Sequence, residues 1–165
     1  MKNEKIKGSG KTIPAKVKKG SADVPGRLAL LNEQQPHAVL STSYSDKPYT
    51  SLVAYALIPD MKGLVFATPR ETKKYRNISK NRNVSLLIDT RSNTAGDYMK
   101  TELISITGNA KVIRQGARRE ELAEILTKKH PRLGEFVNSS STALILVKIE
   151  KCIHVTSFQT VSEWP

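Results

Sequence analysis

The sequence predicts a mostly β fold: a six-stranded antiparallel barrel with short helices at its periphery. Three observations predict it. Between residues 37 and 113, short apolar runs are separated by turn-forming Pro, Gly, Asp and Ser residues. Helix-patterned segments are few and do not follow every strand, so the regular alternation of a doubly wound parallel sheet is missing. The last apolar run, STALILVKIEKCIHVTSF (141–158), is longer than a simple open sheet needs, and a strand that closes a barrel uses such length.

Each element has its own warrant. DVPGRLALLNEQQ (23–35) reads as a helix, with Asp23 as cap, Pro25 in the first turn and an apolar group at Leu28, Leu30 and Leu31. Strands follow at 37–45, 49–58 and 64–68, joined by the turns Ser45–Pro48 and Pro59–Gly63. A helix over 72–81 turns Tyr75 and Ile78 inward. The fourth strand, NVSLLIDTR (83–91), is nearly continuously apolar at its centre, which predicts cover on both faces. A polar loop spans 92–100. In ELISITGNAKVI (102–113) the residues Ile104, Ile106, Gly108, Ala110 and Val112 share one face, and Gly108 marks a bulge or barrel bend. ARREELAEILTKKH (117–130) is a helix with Leu122, Ile125 and Leu126 on one face, and PRLGEFV is a short helical piece. The strand order is expected to be a meander.

Composition narrows the function. The chain has 165 residues and a net charge of +12, enough for one domain with a modest core. Residues 1–20 hold seven lysines and one glutamate, so half of the excess charge sits in a Gly/Lys-rich arm without aromatics. That is the composition of a flexible tail, and it divides the chain into an arm (1–20) and a barrel domain (21–165). The run GSGKT (8–12) lacks the first glycine of a phosphate-binding loop, because Lys5 stands in its place. No apolar run approaches the roughly 18 residues of a membrane span, and the single cysteine, Cys152, leaves no internal disulfide. A reducing, cytoplasmic setting is the expectation.

The chemistry concentrates in FATPRETKKYRNISKN (66–81). Here a strand gives way to a helix whose first N–H groups have no helical partner and favour an anion, as the helix dipole does. Thr68 and Thr72 add hydroxyls, and Arg70, Lys73 and Lys74 add charge. Carboxylates normally occupy a first helical turn; only Glu71 does so here. The cluster reads either as a phosphate site or as a solvated helix start.

The stretch KPYTSLVAYAL followed by GLVFATPRETKKYRNISKNRNVSLLID resembles the pyridoxamine 5′-phosphate oxidase-like family of FMN-binding split barrels. The resemblance covers residues 37–113 well and the closing strand more loosely. It implies a homodimer with FMN held noncovalently at the subunit interface. By position it assigns the FMN phosphate to Thr68, Thr72, Lys73 and Lys74, with Arg70 nearby. It lays the isoalloxazine ring against Thr50, Ser51, Leu52 and Val53, partly through backbone groups. The family oxidase has arginine where this chain has Ser51 and lysine where it has Ala56, and its Arg- and Pro-bearing C-terminal motif is missing here. Arg91 and Asn93 fall near the expected flavin edge, where a cation or amide donor would stabilise negative charge on reduced flavin. An ordinary pair between Arg91 and Asp89 or Asp97 is the other reading. Trp164 reads as a packing anchor or as a residue reaching the partner's flavin.

The implied function is an FMN-dependent oxidoreductase, in which the flavin carries the chemistry and no side chain is named as catalytic. Deazaflavin or heme in place of FMN stays open, as does a non-catalytic flavin- or heme-binding role. A nucleic-acid-binding barrel would need exposed aromatics among Tyr44, Tyr49, Tyr55 and Phe66. His37, His130 and His154 form no metal pattern; Cys152, His154, Lys148 and Glu150 share one strand face by parity, which predicts a polar exterior.

Overall fold

The computed structural model describes residues 6–8, 11–13, 17–94, 100–156 and 159–165. The elements run β1 (Ile6–Gly8), β2 (Lys11–Ile13), β3 (Lys18–Lys19), α1 (Val24–Gln34), β4 (His37–Tyr44), β5 (Lys47–Leu57), β6 (Gly63–Pro69) and α2 (Lys73–Lys80), then β7 (Asn83–Asp89), β8 (Leu103–Ile113), α3 (Ala117–Lys129), a 3-10 turn at Pro131–Leu133, α4 (Gly134–Asn138), β9 (Thr142–Thr156) and β10 (Thr160–Trp164). The predicted 92–100 loop falls largely on residues outside the described set, as do Ser9 and Gly10 of the GSGKT run and Ser157 and Phe158 of the expected closing strand. The rest of GSGKT falls on the β1–β2 hairpin.

Six strands close the barrel in the order β4-β5-β6-β9-β8-β7, with β7 returning to β4. The expected six-stranded barrel is present, but its order departs from a meander. After β6 the chain crosses through α2 and enters β7 on the free side of β4, and β9 fills the place between β6 and β8. Two further strands lie outside the ring: β10 pairs antiparallel with β9, and β3 pairs parallel with β10.

Two apolar layers result. Leu40, Val53, Tyr55, Phe66, Leu86, Ile104, Ile106 and Ile145 fill the barrel, and α1 adds Leu28 and Leu31 while α2 adds Ile78. Outside the wall, Ala56, Val65 and Leu144 pack under Leu122, Leu126 and Val137 of α3 and α4. Each of these larger side chains stabilises the fold by about 1.5–3 kcal/mol on burial. Among the described residues the rest of the outer wall has no such cover. On β7 only Val84, Leu86 and Ile88 are buried, while Ser85 and Leu87 are half-exposed, so the expected second buried face is not covered within one chain.

The closing strand corrects one expectation. Cys152 is fully buried and His154 is 3% exposed, whereas Lys148 and Glu150 are exposed. Alternation by two placed all four on one face. The register between β8 and β9 shifts between Thr107 and Gly108: Thr107 faces Lys151 and Gly108 faces Ile149, leaving Glu150 as an extra residue. A bulge of this kind moves every following side chain to the opposite face. Gly108 was expected to mark a bulge or a bend, and it stands at that point. Burial pushes the Cys152 thiol up to about 11, away from reactivity.

Candidate functional site

The barrel is split beside α2. β5 pairs with β4 from Lys47 to Ala54, but it pairs with β6 only at Tyr55, Ala56 and Leu57. On that side the backbone edge of Thr50–Val53 has no strand partner among the described residues. Unpaired N–H and C=O groups along such an edge seek a ligand or water. Thr50 and Leu52 face outward and are exposed, with Leu52 at 62%. Ser51 and Val53 face inward, and the Ser51 hydroxyl is buried without a hydrogen-bond partner.

At the end of β6 the chain turns into α2, and Thr72 is the N-cap. Its Oγ1 accepts the Tyr75 N–H at 3.3 Å and donates to the Pro69 carbonyl at 2.9 Å. Thr68, 1% exposed, places its Oγ1 3.0 Å from Thr72 Oγ1. With the Thr72 proton given to Pro69, Thr68 is the donor of that contact. Both hydroxyl protons are therefore engaged, and a phosphate contact through either would exchange an existing hydrogen bond.

The cations stand differently. Lys73 Nζ lies 4.9 Å from the Tyr49 ring centroid, a cation–π distance. Burial holds the Lys74 ammonium below its ordinary pKa. Among the described residues neither lysine has an ion pair. A cation penalised by burial and left without a counter-charge is improved by an anion. Arg70 turns elsewhere: its Nε donates to the Ser140 carbonyl and its Nη1 to the Tyr75 hydroxyl, both at 3.3 Å.

The structure thus gathers Thr68, Thr72, Lys73 and Lys74 at one helix start and sets the open edge of β5 against the same split. Arg91 and Asn93 are not brought to this group within one chain. They follow β7 at the end opposite α2, and a strand of seven residues spans about 20 Å. Arg91 Nε pairs with Asp89 Oδ1 at 3.0 Å, the strand-end ion pair, and Asn93 is exposed at φ +59°. Trp164 packs against the barrel core. Tyr49 and Ser140 were not expected at the site. Tyr49 was read only as a strand-start aromatic, and Ser140 lies in the polar run NSSST that leads into β9.

The histidines and aromatics bear on two further points. His154 Nε2 meets Glu102 Oε1 at 2.8 Å, and His130 Nε2 meets the Tyr55 carbonyl at 2.9 Å. Among the described residues no group of three His, Cys, Asp or Glu side chains is placed to hold a metal ion, and no helix is long and apolar enough to cross a membrane. Tyr55 and Phe66 are fully buried, which removes two of the four aromatics that a nucleic-acid-binding sheet would present.

Comparison with known proteins agrees with this architecture. ChuZ of Campylobacter jejuni superposes with a TM-score of 0.74 at 13% identity over 89% of this chain and 61% of that one, so the chain spans less than two thirds of ChuZ. HutZ, the heme storage protein of Vibrio cholerae, gives 0.61 at 14% identity over 76% of this chain and 89% of that one. A FAD-binding protein of Mesorhizobium loti gives 0.62 at 13% identity over 76% and 87%. At these identities the likeness is one of fold. No curated protein sequence matches the chain. The family profile described as pyridoxamine 5′-phosphate oxidase matches residues 27–156, which take in the barrel, the split and the helix that opens with Lys73 and Lys74. With its barrel, its broken β5–β6 seam and that match in hand, the chain belongs to the pyridoxamine 5′-phosphate oxidase family.

Proposed function

We propose that this protein is an FMN-binding flavoprotein that works as a homodimer and serves as an oxidoreductase. The observation that carries the reading is the half-buried, unpaired Lys74 beside Lys73 at the start of α2. At an effective dielectric of about 20, a charge pair some 4 Å apart is worth roughly 4 kcal/mol before desolvation is subtracted. Two such partners and the helix start would hold a phosphate dianion. The unpaired edge of Thr50–Val53 offers backbone donors and acceptors to a flavin ring. When bound, FMN would supply two-electron redox chemistry; the chain itself would position it and limit water access.

What one chain leaves open supports the homodimer reading. Leu52, Val39 and Leu87 stand in register across β5, β4 and β7 on the uncovered outer wall. A contiguous apolar row at a surface is a contact site in the making. It adjoins the open edge of β5, so a second copy there would wall the flavin on its exposed side. Flavin is favoured over heme because two lysines at a helix start match a phosphate dianion, and because His154, at 3% exposed, is closed off from a ligand outside the barrel.

The test is a titration of the purified protein with FMN and with riboflavin, followed by flavin fluorescence. FMN binding much tighter than riboflavin is expected, since only FMN carries the phosphate. Equal affinity for both, or none for either, would overturn the reading.

A further inference from the structure

We propose that a second anion site, separate from the Lys73–Lys74 group, lies where the start of α3 faces the start of β9, and that it takes the phosphate group of a small phosphorylated ligand. A cavity of 380 Å³ sits there, bearing Arg70, Arg114 and Arg119 against one carboxylate, Glu120. Neither Lys73 nor Lys74 lines it.

Two independent observations point to a ligand. The first is the helix start. α3 begins at Ala117 behind the cap residue Gly116, which has φ +88°, and no side chain caps it. A Ser, Thr or Asp there would answer the first-turn N–H groups. This helix instead follows its bare cap with Arg118 and Arg119, and Arg118 is paired outward with Glu121 at 2.7 Å. Glu120 answers part of the dipole from within the first turn, but among the described residues the N–H groups of Ala117 and Arg118 are left for something outside the chain.

The second observation is Thr142. It is 2% exposed, lines the cavity, and its Oγ1 has no hydrogen-bond partner. Strand parity puts it on the side of Leu144, which packs under α3, and not on the side of Ala143, which faces the barrel. A buried hydroxyl without a partner costs about 1–3 kcal/mol. An oxyanion in the cavity would accept from it.

The guanidinium groups are held in advance. Arg119 Nη2 donates to the Val137 carbonyl at 2.9 Å, and Arg70 is fixed by the Ser140 carbonyl and Tyr75. Each keeps further N–H donors for a ligand, and Arg114, exposed at the rim, has no ion pair among the described residues. Preorganised forks lose little entropy on binding. Forks, a hydroxyl and helix N–H groups are all donors, and three cations outweigh one carboxylate. A phosphate, with several oxygens and up to two charges, suits that set better than a carboxylate.

The experiment is an amide NMR titration with inorganic phosphate, without FMN, on five proteins: wild type, Lys73→Gln/Lys74→Gln, Arg114→Gln, Thr142→Val and Thr142→Ser. Saturable shifts at Thr142 and at residues 116–118 are expected in the wild type and equally in the lysine variant. Arg114→Gln should weaken that site by at least about tenfold, and Thr142→Val should weaken it while Thr142→Ser does not. Shifts confined to residues 72–75, loss of the site in the lysine variant, or unchanged binding in both Arg114→Gln and Thr142→Val would each overturn the proposal. A failure of flavin binding leaves these outcomes untouched.

Discussion

His154 Nε2 lies 2.8 Å from Glu102 Oε1, and Arg27 of α1 grips the same carboxylate through Nε at 2.6 Å and through Nη2. This is how α1 is clamped to the barrel: one buried carboxylate at the start of β8 joins a strand, a helix and the closing strand. The Arg27 hydrogen bond, helped by His154, holds the Glu102 carboxyl below its usual range against the opposing push of burial. A depressed carboxyl contributes stability that is complete above the ordinary carboxylate range and is lost as pH falls through the folded value. Arg27 is 41% exposed, so screening trims the pair. Glu102→Gln should therefore cost about 1–2 kcal/mol at neutral pH and progressively less as pH falls below the ordinary carboxylate range. Urea unfolding at neutral pH and across a descending acid series checks it. A cost that stays the same in acid would mean that the ionised carboxylate is not what matters.

Gly108 lets β8 and β9 close the barrel at the bulge. A Cβ there would sit 2.4 Å from the Lys148 carbonyl oxygen and 2.9 Å from Val147 Cγ1. The backbone oxygen belongs to the paired strand and cannot swing away as a flexible side chain would. Gly108→Ala is expected to cost about 2 kcal/mol and to lower Tm by several degrees. A calorimetric scan that shows no change would place the bulge elsewhere in solution.

The barrel was legible because its signals are local. Alternation in β8, the Asp23 cap, and the Pro and Gly turns each act within a few residues. The order of the strands was less legible, since nothing local tells β7 to pair with β4 rather than β6. The inward turn of Cys152 and His154 was hidden for the same reason. It depends on Glu150 becoming an extra residue opposite Gly108, a relation between two strands about forty residues apart in sequence. The cluster at α2 was legible from charge and hydroxyl spacing. The destination of Arg70 was not, because Ser140 reaches it only through the β6–β9 pairing.

Thr72 and Lys74 should separate when mutated. Thr72 caps α2, so Thr72→Ala is expected to lose about 1 kcal/mol of stability with or without flavin, and Thr72→Ser should recover most of it. Lys74 is unpaired, so Lys74→Glu should leave Tm nearly unchanged. It should weaken FMN by about 100-fold or more, as reversal of one charge beside a phosphate implies, and riboflavin far less. Fluorescence titration of the two ligands beside thermal melts reads both effects. A Lys74→Glu protein that loses FMN and riboflavin equally would remove the phosphate from this helix start.

Leu52 tests the second copy. It is 62% exposed, and it stands in register with Val39, which in turn faces Leu87. Among the described residues this row joins neither apolar cluster, whereas the outer wall near Ala56 and Val65 is covered by α3 and α4. If two chains meet here, Leu52→Glu buries a carboxylate in an apolar contact, which costs several kcal/mol unless it is paired. The variant should elute as a monomer where the wild type elutes as a dimer. Its FMN affinity should fall by at least about tenfold, because the open edge of Thr50–Val53 would lose its second wall. Light scattering after size exclusion and the same titration decide it. A dimer that survives Leu52→Glu would move the contact off this face, and a monomer that still binds FMN tightly would detach the flavin from the interface.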